Sequence, residues 1–226
     1  MPRFGAPPVH THANDARGGQ IDWDQVWSDA VHSHQSNAEG GTLALAALLA
    51  RFVGQDLRTG EYIAPFFGYQ EATNPGVTAN TLYALPFVAH RAITVDRIAI
   101  HVATLAAGAS ARLGIYQAGT NLYPGSLLLD AGVVSVATTG VKAITISQAL
   151  AAGLYWLALV SDGAPNVRGV AAAFTPVGVK PTAFDIGYCG WNVAFTYAAL
   201  PDPFTAGGVG DEDAFRHILL RLLSLD

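Results

Sequence analysis

The sequence predicts a mainly β protein, in which an antiparallel β-sandwich follows an extended N-terminal arm and two short helices. From Thr81 onward, apolar residues tend to recur at every second position, which is typical of strands with one buried face. Turn signals containing Gly or Pro separate these runs, and no helical pattern lies between them. We therefore expect an arm with helices over residues 1–53, a connector over residues 54–80 and a β-domain over residues 81–226.

The first part of the chain lacks the period of a strand. Residues 2–19 are rich in Pro, Gly, His and Asn without periodicity, which indicates an extended arm. Asp22 is placed to cap a helix with one apolar face, and residues 42–52 predict a second helix that is apolar nearly all round. Such helices must be enclosed, so we expect them to dock on partner subunits. The residues expected to make these anchoring and oligomer contacts are Trp23, Val26, Trp27, Val31, Leu43 and Leu48.

The β-region contains a series of short predicted strands. The alternation slips between Val95 and Ile98, which predicts a bulge or bend around Asp96 and Arg97. Trp156 lies inside an apolar run and is expected in the core, while residues 215–223 are expected to form a closing strand. The alternating positions that mark the other strands are Ile98, Ile100 and Val102; Ala111, Leu113 and Ile115; Val134 and Val136; Ile144 and Ile146; and Leu154, Ala158 and Val160.

Composition limits the classes of function. Of the 226 residues, 51% are hydrophobic and only 13% are charged, about half the usual charged share. This excess of apolar surface predicts burial between subunits or against a larger assembly. A net charge of −5 without any cluster of Lys or Arg argues against a nucleic-acid partner. Cys189 is the single cysteine, which excludes an intrachain disulfide. No stretch of the sequence predicts a signal peptide or a membrane span.

Three motifs in the β-region resemble the distal domains of tailed-bacteriophage fibre, spike and minor tail proteins. They are RLGIY at residues 112–116, PGSLLLDAG at residues 124–132 and GLYWLA at residues 153–158. The stretch DWDQVWSDAVHSHQSNAEGG at residues 22–41 resembles the anchor region of such proteins, including those of phage-like particles, whereas residues 54–80 match no known pattern. The resemblance implies a jelly-roll-like β-sandwich in a virion protein assembled in the host cytoplasm. It implies as partners other virion structural proteins, two further copies in a homotrimer, and host-surface polysaccharide.

Two His-x-His pairs are candidate metal ligands: His10 with His12, and His32 with His34. The resemblance implies such a site, because in trimeric phage fibres a pair of this kind on each chain can place six imidazoles around one axial transition metal. Residues i and i+2 point the same way on an extended backbone but diverge on a helix, so both rings can reach one ion only if the first helix ends before His32. The alternative is that His32 ends the first helix, where the dipole favours it, while His34 is a solvated loop residue. No cofactor is expected to be required.

The sequence does not predict an enzyme. No nucleophile elbow, zincin motif or phosphate-binding glycine loop is present, and most carboxylates of the β-region lie in turn contexts. A polysaccharide depolymerase remains the less favoured alternative. The acidic run over residues 210–213 could bind calcium, but it lacks the alternating ligand spacing, and a solvated turn is the favoured interpretation.

A glycan-binding surface needs exposed rings beside polar side chains. Tyr188, Trp191, Asn192 and Tyr197 supply these groups within residues 184–197. The competing interpretation is ordinary core or edge packing of aromatic residues. The function expected is host adhesion by a head or tail fibre or spike, and the alternative is a decoration or connector protein of the capsid or tail without a host ligand.

Overall fold

The computed structural model describes residues 57–63, 72–171, 177–182, 187–212 and 214–225. The predicted arm and both predicted helices lie outside these residues. Sixteen strands are present in the described part, together with one short 3-10 turn at Thr120–Leu122. The strands are β1 (Tyr62–Ile63), β2 (Ala72–Thr73), β3 (Thr81–Ala89), β4 (Ile93–Thr104), β5 (Ser110–Ala118), β6 (Pro124–Ser135), β7 (Gly140–Leu150), β8 (Gly153–Ser161), β9 (Asn166–Val167), β10 (Gly169–Ala171), β11 (Gly178–Val179), β12 (Gly187–Tyr188), β13 (Gly190–Ala194), β14 (Val209–Asp211), β15 (Ala214–Arg216) and β16 (Leu219–Leu225).

Two sheets contain most of these strands. The larger sheet has six strands in the order β14-β13-β3-β8-β5-β6. The second has five, in the order β1-β16-β4-β7, with β9 pairing beside β4. A small sheet, β15-β10-β2, and the pair β11-β12 complete the described fold. All pairings between the described strands are antiparallel, which confirms the prediction of a mainly β protein with antiparallel sheets.

The two large sheets contribute side chains to one hydrophobic core. Strands β3, β5 and β8 of the six-stranded sheet supply residues such as Leu85, Leu113 and Leu157, and strands β4 and β16 of the other sheet supply residues such as Ile98 and Leu220. All five side chains are fully or almost fully buried. Burial of this kind stabilises a fold by about 1.5–3 kcal/mol for each large apolar side chain. This core therefore holds the two sheets together.

The six-stranded sheet is covered on both faces, which explains its nearly continuous apolar strands. A second hydrophobic cluster lies on the face opposite the main core and includes Leu82, Trp156 and Val160. Leu200 and Phe204, from the loop between β13 and β14, pack into this cluster. We call residues 195–208 of that loop the cover segment. Because both faces of β3 and β8 are buried, these strands are apolar at successive positions as well as at alternate ones.

The predicted irregularity at Asp96 and Arg97 is confirmed. The register between β4 and β7 shifts between Val95 and Arg97, as a bulge requires. The bulge orients Asp96 toward Arg221 of β16, whose Nε donates to Asp96 Oδ1 at 2.8 Å. The hydrogen bond from Arg221 lowers the pKa of the Asp96 carboxyl, although desolvation opposes this effect.

The prediction of a single closing strand over residues 215–223 is wrong. The segment forms two strands, β15 in the small sheet and β16 in the five-stranded sheet, separated at His217 and Ile218. Phe215 and Ile218 both face the main core. A spacing of three cannot place both side chains on one face of a regular strand, so the chain must break its period between them.

No helix within the described ranges is long and apolar enough to cross a lipid bilayer.

Candidate binding surface

Four aromatic rings form a row along the second hydrophobic cluster. Tyr116 contacts Phe204 edge-on at 5.2 Å between ring centroids, and Phe204 contacts Tyr123 at 5.6 Å. Tyr123 in turn contacts Trp191 of β13 at 5.1 Å. Tyr116 and Phe204 are buried, whereas Tyr123 and Trp191 are partly exposed. We call these four residues the aromatic row. It begins in the interior and reaches the surface near the edge of the sheet.

Polar atoms of the row bind the backbone of neighbouring loops. Tyr116 Oη donates to Pro201 O at 2.8 Å, and Trp191 Nε1 donates to Leu122 O at 2.7 Å. Tyr123 Oη donates to Thr205 O at 2.7 Å and accepts a hydrogen bond from Gly208 N at 2.8 Å. These bonds fix the cover segment and the 3-10 turn against the sheet. The polar atoms of Tyr123 and Trp191 are therefore engaged within the protein, so any contact of these two residues with a ligand would be made by their rings.

The hydroxyl of Tyr116, at the interior end of the aromatic row, is protected from ionisation. Burial is the main cause that raises the pKa of the Tyr116 hydroxyl, and the nearby carboxylates of Asp130 and Asp202 raise it further. The hydroxyl therefore stays protonated and continues to donate to Pro201 O at any pH near neutral.

Asp130 and Asp202 attach the cover segment at two further points. Asp130 Oδ2 accepts hydrogen bonds from Arg112 at 2.5 Å and from the Leu200 amide at 3.1 Å. Asp202 Oδ1 accepts one from the Leu127 amide at 2.9 Å. The cover segment is thus held on both sides of Phe204, which gives the aromatic row a fixed position.

The structure brings two of the four predicted glycan-binding residues to one side of the sheet. Gly210 of β14 pairs with Trp191. A Cβ added to Gly210 would meet the Tyr188 ring at 2.1 Å, so this ring lies directly over the glycine. Because paired residues direct their side chains to the same face, Tyr188 lies on the Trp191 side of the sheet. The glycine at this position makes the close approach of the ring possible.

The other two residues lie elsewhere. Asn192 pairs with Tyr83, whose side chain belongs to the main core, so Asn192 faces away from Trp191. Tyr197 belongs to the cover segment, where its amide donates to Asn80 Oδ1 at 2.9 Å and burial raises the pKa of its hydroxyl. Tyr188 and Trp191 can therefore form one surface, and Asn192 cannot join it. The sequence did not identify Tyr123, because its Tyr-Pro-Gly context indicated only a turn.

The predicted metal ligands and anchoring residues lie outside the described residues. These are His10, His12, His32 and His34, and Trp23, Val26, Trp27, Val31, Leu43 and Leu48. Within the described ranges, no three or more His, Cys, Asp or Glu side chains come together as metal ligands.

The interpretation of the acidic run over residues 210–213 as a solvated turn is wrong for Asp211. This residue ends β14, and its side chain is 2% exposed, as is that of Arg216, with which it forms an ion pair. The Arg216 guanidinium also donates to Gly76 O at 2.9 Å and lies 4.1 Å from the centroid of the Tyr83 ring. Buried charges are tolerated only when paired in this way, so Asp211 is a structural partner of Arg216. The neighbouring Glu212 forms a more exposed ion pair with Lys180.

No known family model matches the chain, and no curated protein matches it by sequence.

Proposed function

We propose that this chain is a structural protein of a tailed-phage virion, a head or tail fibre or spike, and that it has no enzymatic activity. In this proposal residues 1–53 attach it to the particle, three copies assemble, and residues 81–226 meet polysaccharide on the host surface. We further propose that the two large sheets form a jelly-roll-like sandwich. Support comes from the three sequence motifs, the low charged fraction of 13% and the hydrophobic core to which both sheets contribute.

The observation that carries the adhesion proposal is the position of Tyr188 and Trp191 on the same side of the sheet edge, with the Tyr123 ring in contact with Trp191. Flat aromatic rings that are held rigidly suit the apolar faces of sugars. The hydrogen bonds of Tyr123 and Trp191 fix their orientation in advance, which lowers the entropic cost of binding. Weak contacts of this kind become strong when many copies on one particle bind together.

Three carboxylates of the described β-region support the non-enzymatic part of the proposal. Asp96, Asp130 and Asp211 each form an ion pair with an arginine. A glycosidase requires one carboxyl group that is protonated and one that is free to act as base or nucleophile. Carboxylates that are paired with arginines in this way stabilise the fold and are not free to act as base or nucleophile.

Binding of the full-length protein to purified host-surface polysaccharide tests the proposal. We expect Tyr188→Ala to weaken retention by about tenfold, since ring stacking contributes about 0.5–1.5 kcal/mol beyond buried area. Tyr62→Ala is the matched control, because Tyr62 is 39% exposed and lies on β1 of the other sheet. Equal retention of both variants would place adhesion elsewhere on the protein. Release of sugar above a heat-inactivated sample would instead establish a depolymerase.

A decoration or connector protein without a host ligand is the second candidate. It is favoured by the hydrogen bonds of the Trp191 indole and the Tyr123 hydroxyl, which bind the backbone of Leu122, Thr205 and Gly208 and are therefore not directed toward a sugar. Absence of wild-type binding to any host polysaccharide, together with incorporation into particles, would support this candidate.

Assembly and the axial metal are tested separately. Sedimentation of the full chain should give a mass three times that of the monomer, and Trp23→Ala with Trp27→Ala should reduce incorporation into particles. Elemental analysis of untagged protein should find about one transition-metal ion for three chains if His32 and His34 bind it. A lower content would exclude the shared site.

A further inference from the structure

We propose that a cleft beside Arg216 is a second binding site, and that it accepts a small uncharged polyhydroxylated molecule such as one neutral sugar unit. The cleft has a volume of 510 Å³, within the range of small-molecule sites. Residues 75–79 form one wall, Ala164 and Asn166 form the other, and Ala214 and Arg216 lie at the floor. Because Tyr83 beneath Arg216 faces the main core, this cleft and the aromatic row occupy opposite faces of β3.

The walls of the cleft are fixed before any ligand arrives. The Val77 amide donates to Pro165 O at 2.9 Å, and the Val167 amide donates to Pro75 O at 3.0 Å. The Thr78 amide donates to Tyr83 Oη at 3.1 Å. These bonds connect the first wall to the second wall and to the six-stranded sheet. A preformed cleft avoids the ordering cost that a flexible loop would add to binding.

Arg216 and a glycine complete the support of the first wall. Arg216 Nε donates to Gly76 O at 2.9 Å from below. At Gly169 of β10, an added Cβ would lie 2.2 Å from Phe215 O and 2.8 Å from Pro75 Cγ. Only glycine therefore allows the proline to pack so closely against the small sheet. The buried ion pair of Arg216 with Asp211 thus positions the cleft rather than binding its occupant.

Charge determines the class of ligand. Among the residues that the structure describes, Arg216 is the only charged one that lines the cleft, and Asp211 pairs with it. Within the described chain, the side chains of Thr78 and Asn166 form no hydrogen bond, so their hydroxyl and amide are available to a ligand. Pro75, Val77 and Ala214 supply apolar surface. Hydroxyl partners beside apolar surface suit a neutral sugar and disfavour an anion, whose charge would meet no net opposite charge.

Gly76 offers a way to close the cleft without disturbing the fold. Its φ is not positive, and an added Cβ would meet only Asn166 Oδ1, at an ordinary 3.7 Å. A valine at this position would direct its methyl groups toward the Asn166 amide. We therefore expect Gly76→Val to fold as the wild type does and to occupy space that a ligand needs.

Saturation-transfer NMR on the full chain tests the proposal with glucose, galactose, N-acetylglucosamine and glucuronic acid as separate probes. We expect at least one neutral probe to bind, with an affinity independent of salt, and glucuronic acid to bind more weakly. Gly76→Val should weaken binding at least about tenfold, and Asn166→Ala roughly three- to tenfold, the range for one lost hydrogen bond. Ser147→Val, on the exposed side of β7, is the control and should bind as the wild type does.

Three results would overturn the proposal: no transfer to any neutral probe, unchanged binding by Gly76→Val, or tighter and salt-sensitive binding of glucuronic acid. The last result would identify an anion site on Arg216. Thermal unfolding of each variant shows whether it is folded, and Thr78→Val provides an exposed replacement if Gly76→Val unfolds. Polysaccharide retention, which depends on Tyr188, tests the adhesion proposal, and saturation transfer to single sugars tests the cleft. Failure of one proposal therefore does not decide the other.

Discussion

Replacement of Asp211 by asparagine should unfold the protein at markedly lower denaturant concentration. Asn keeps the shape of Asp211 but removes the negative charge that pairs with Arg216, whose side chain is 2% exposed. Removing one member of a buried ion pair costs about 3–5 kcal/mol. Arg216 also donates to Gly76 O and Ala214 O and lies over the Tyr83 ring, and none of these three groups carries a negative charge. For a folded unit of this size the expected fall in Tm is roughly 6–20 °C.

Urea unfolding followed by tryptophan fluorescence measures this loss, and the chain supplies a matched control. Glu212→Gln breaks the adjacent but partly exposed pair with Lys180, which should cost at most about 1 kcal/mol. The double variant Asp211→Leu with Arg216→Met should recover most of the stability, since an apolar pair removes both buried charges. If Asp211→Asn and Glu212→Gln lose equal stability, the buried pair does not have the importance we assign to it.

Three further predictions concern the core, the aromatic row and pH. Leu222→Ala should lower the unfolding free energy by about 2–5 kcal/mol, because the Leu222 side chain is 0% exposed. Leu223→Ala should change it by less than about 0.5 kcal/mol, because the Leu223 side chain is 51% exposed. Similar losses in the two variants would contradict the assigned register of β16. Trp191→Phe keeps an aromatic ring but removes the indole N–H that donates to Leu122 O, so urea unfolding should show a loss of unfolding free energy of about 0.5–1.5 kcal/mol. Burial lowers the pKa of His217 below its ordinary value of 6.5, so the unfolded chain binds a proton that the folded chain does not, and stability should fall as the pH drops below about 6.5. His217→Gln should flatten this dependence between pH 5 and pH 7.5, and an unchanged slope would refute the assignment.

The local features of the fold could be predicted from sequence because they depend on nearest neighbours along the chain. Alternation located β4, and its slip after Val95 located the bulge. The buried position of Trp156 followed from the apolar run around it. Each of these predictions needs only the period of a strand and the hydrophobicity of the residues in it.

The features that sequence could not predict depend on distant segments. The cover segment has no periodic pattern, so nothing in residues 195–208 indicated that they bury the second face of the sheet. Asp211 resembled a solvated carboxylate because Tyr83 and Gly76, which enclose its partner Arg216, lie far from it in sequence. The opposite orientations of Trp191 and Asn192 required the pairing of β13 with β3, which sequence spacing does not define.

The position of β16 has a consequence for the speed of folding. This strand lies between β1 and β4, and its Arg221 binds Asp96 across 125 positions of sequence. A loop of that length must close before the five-stranded sheet gains its inner strand, and contacts of long range slow folding to about milliseconds or seconds in all-β domains. Until β16 arrives, one edge of β4 keeps unpaired backbone groups that can pair with other chains. Protein made rapidly should therefore aggregate more than protein made slowly, and the difference should depend on concentration.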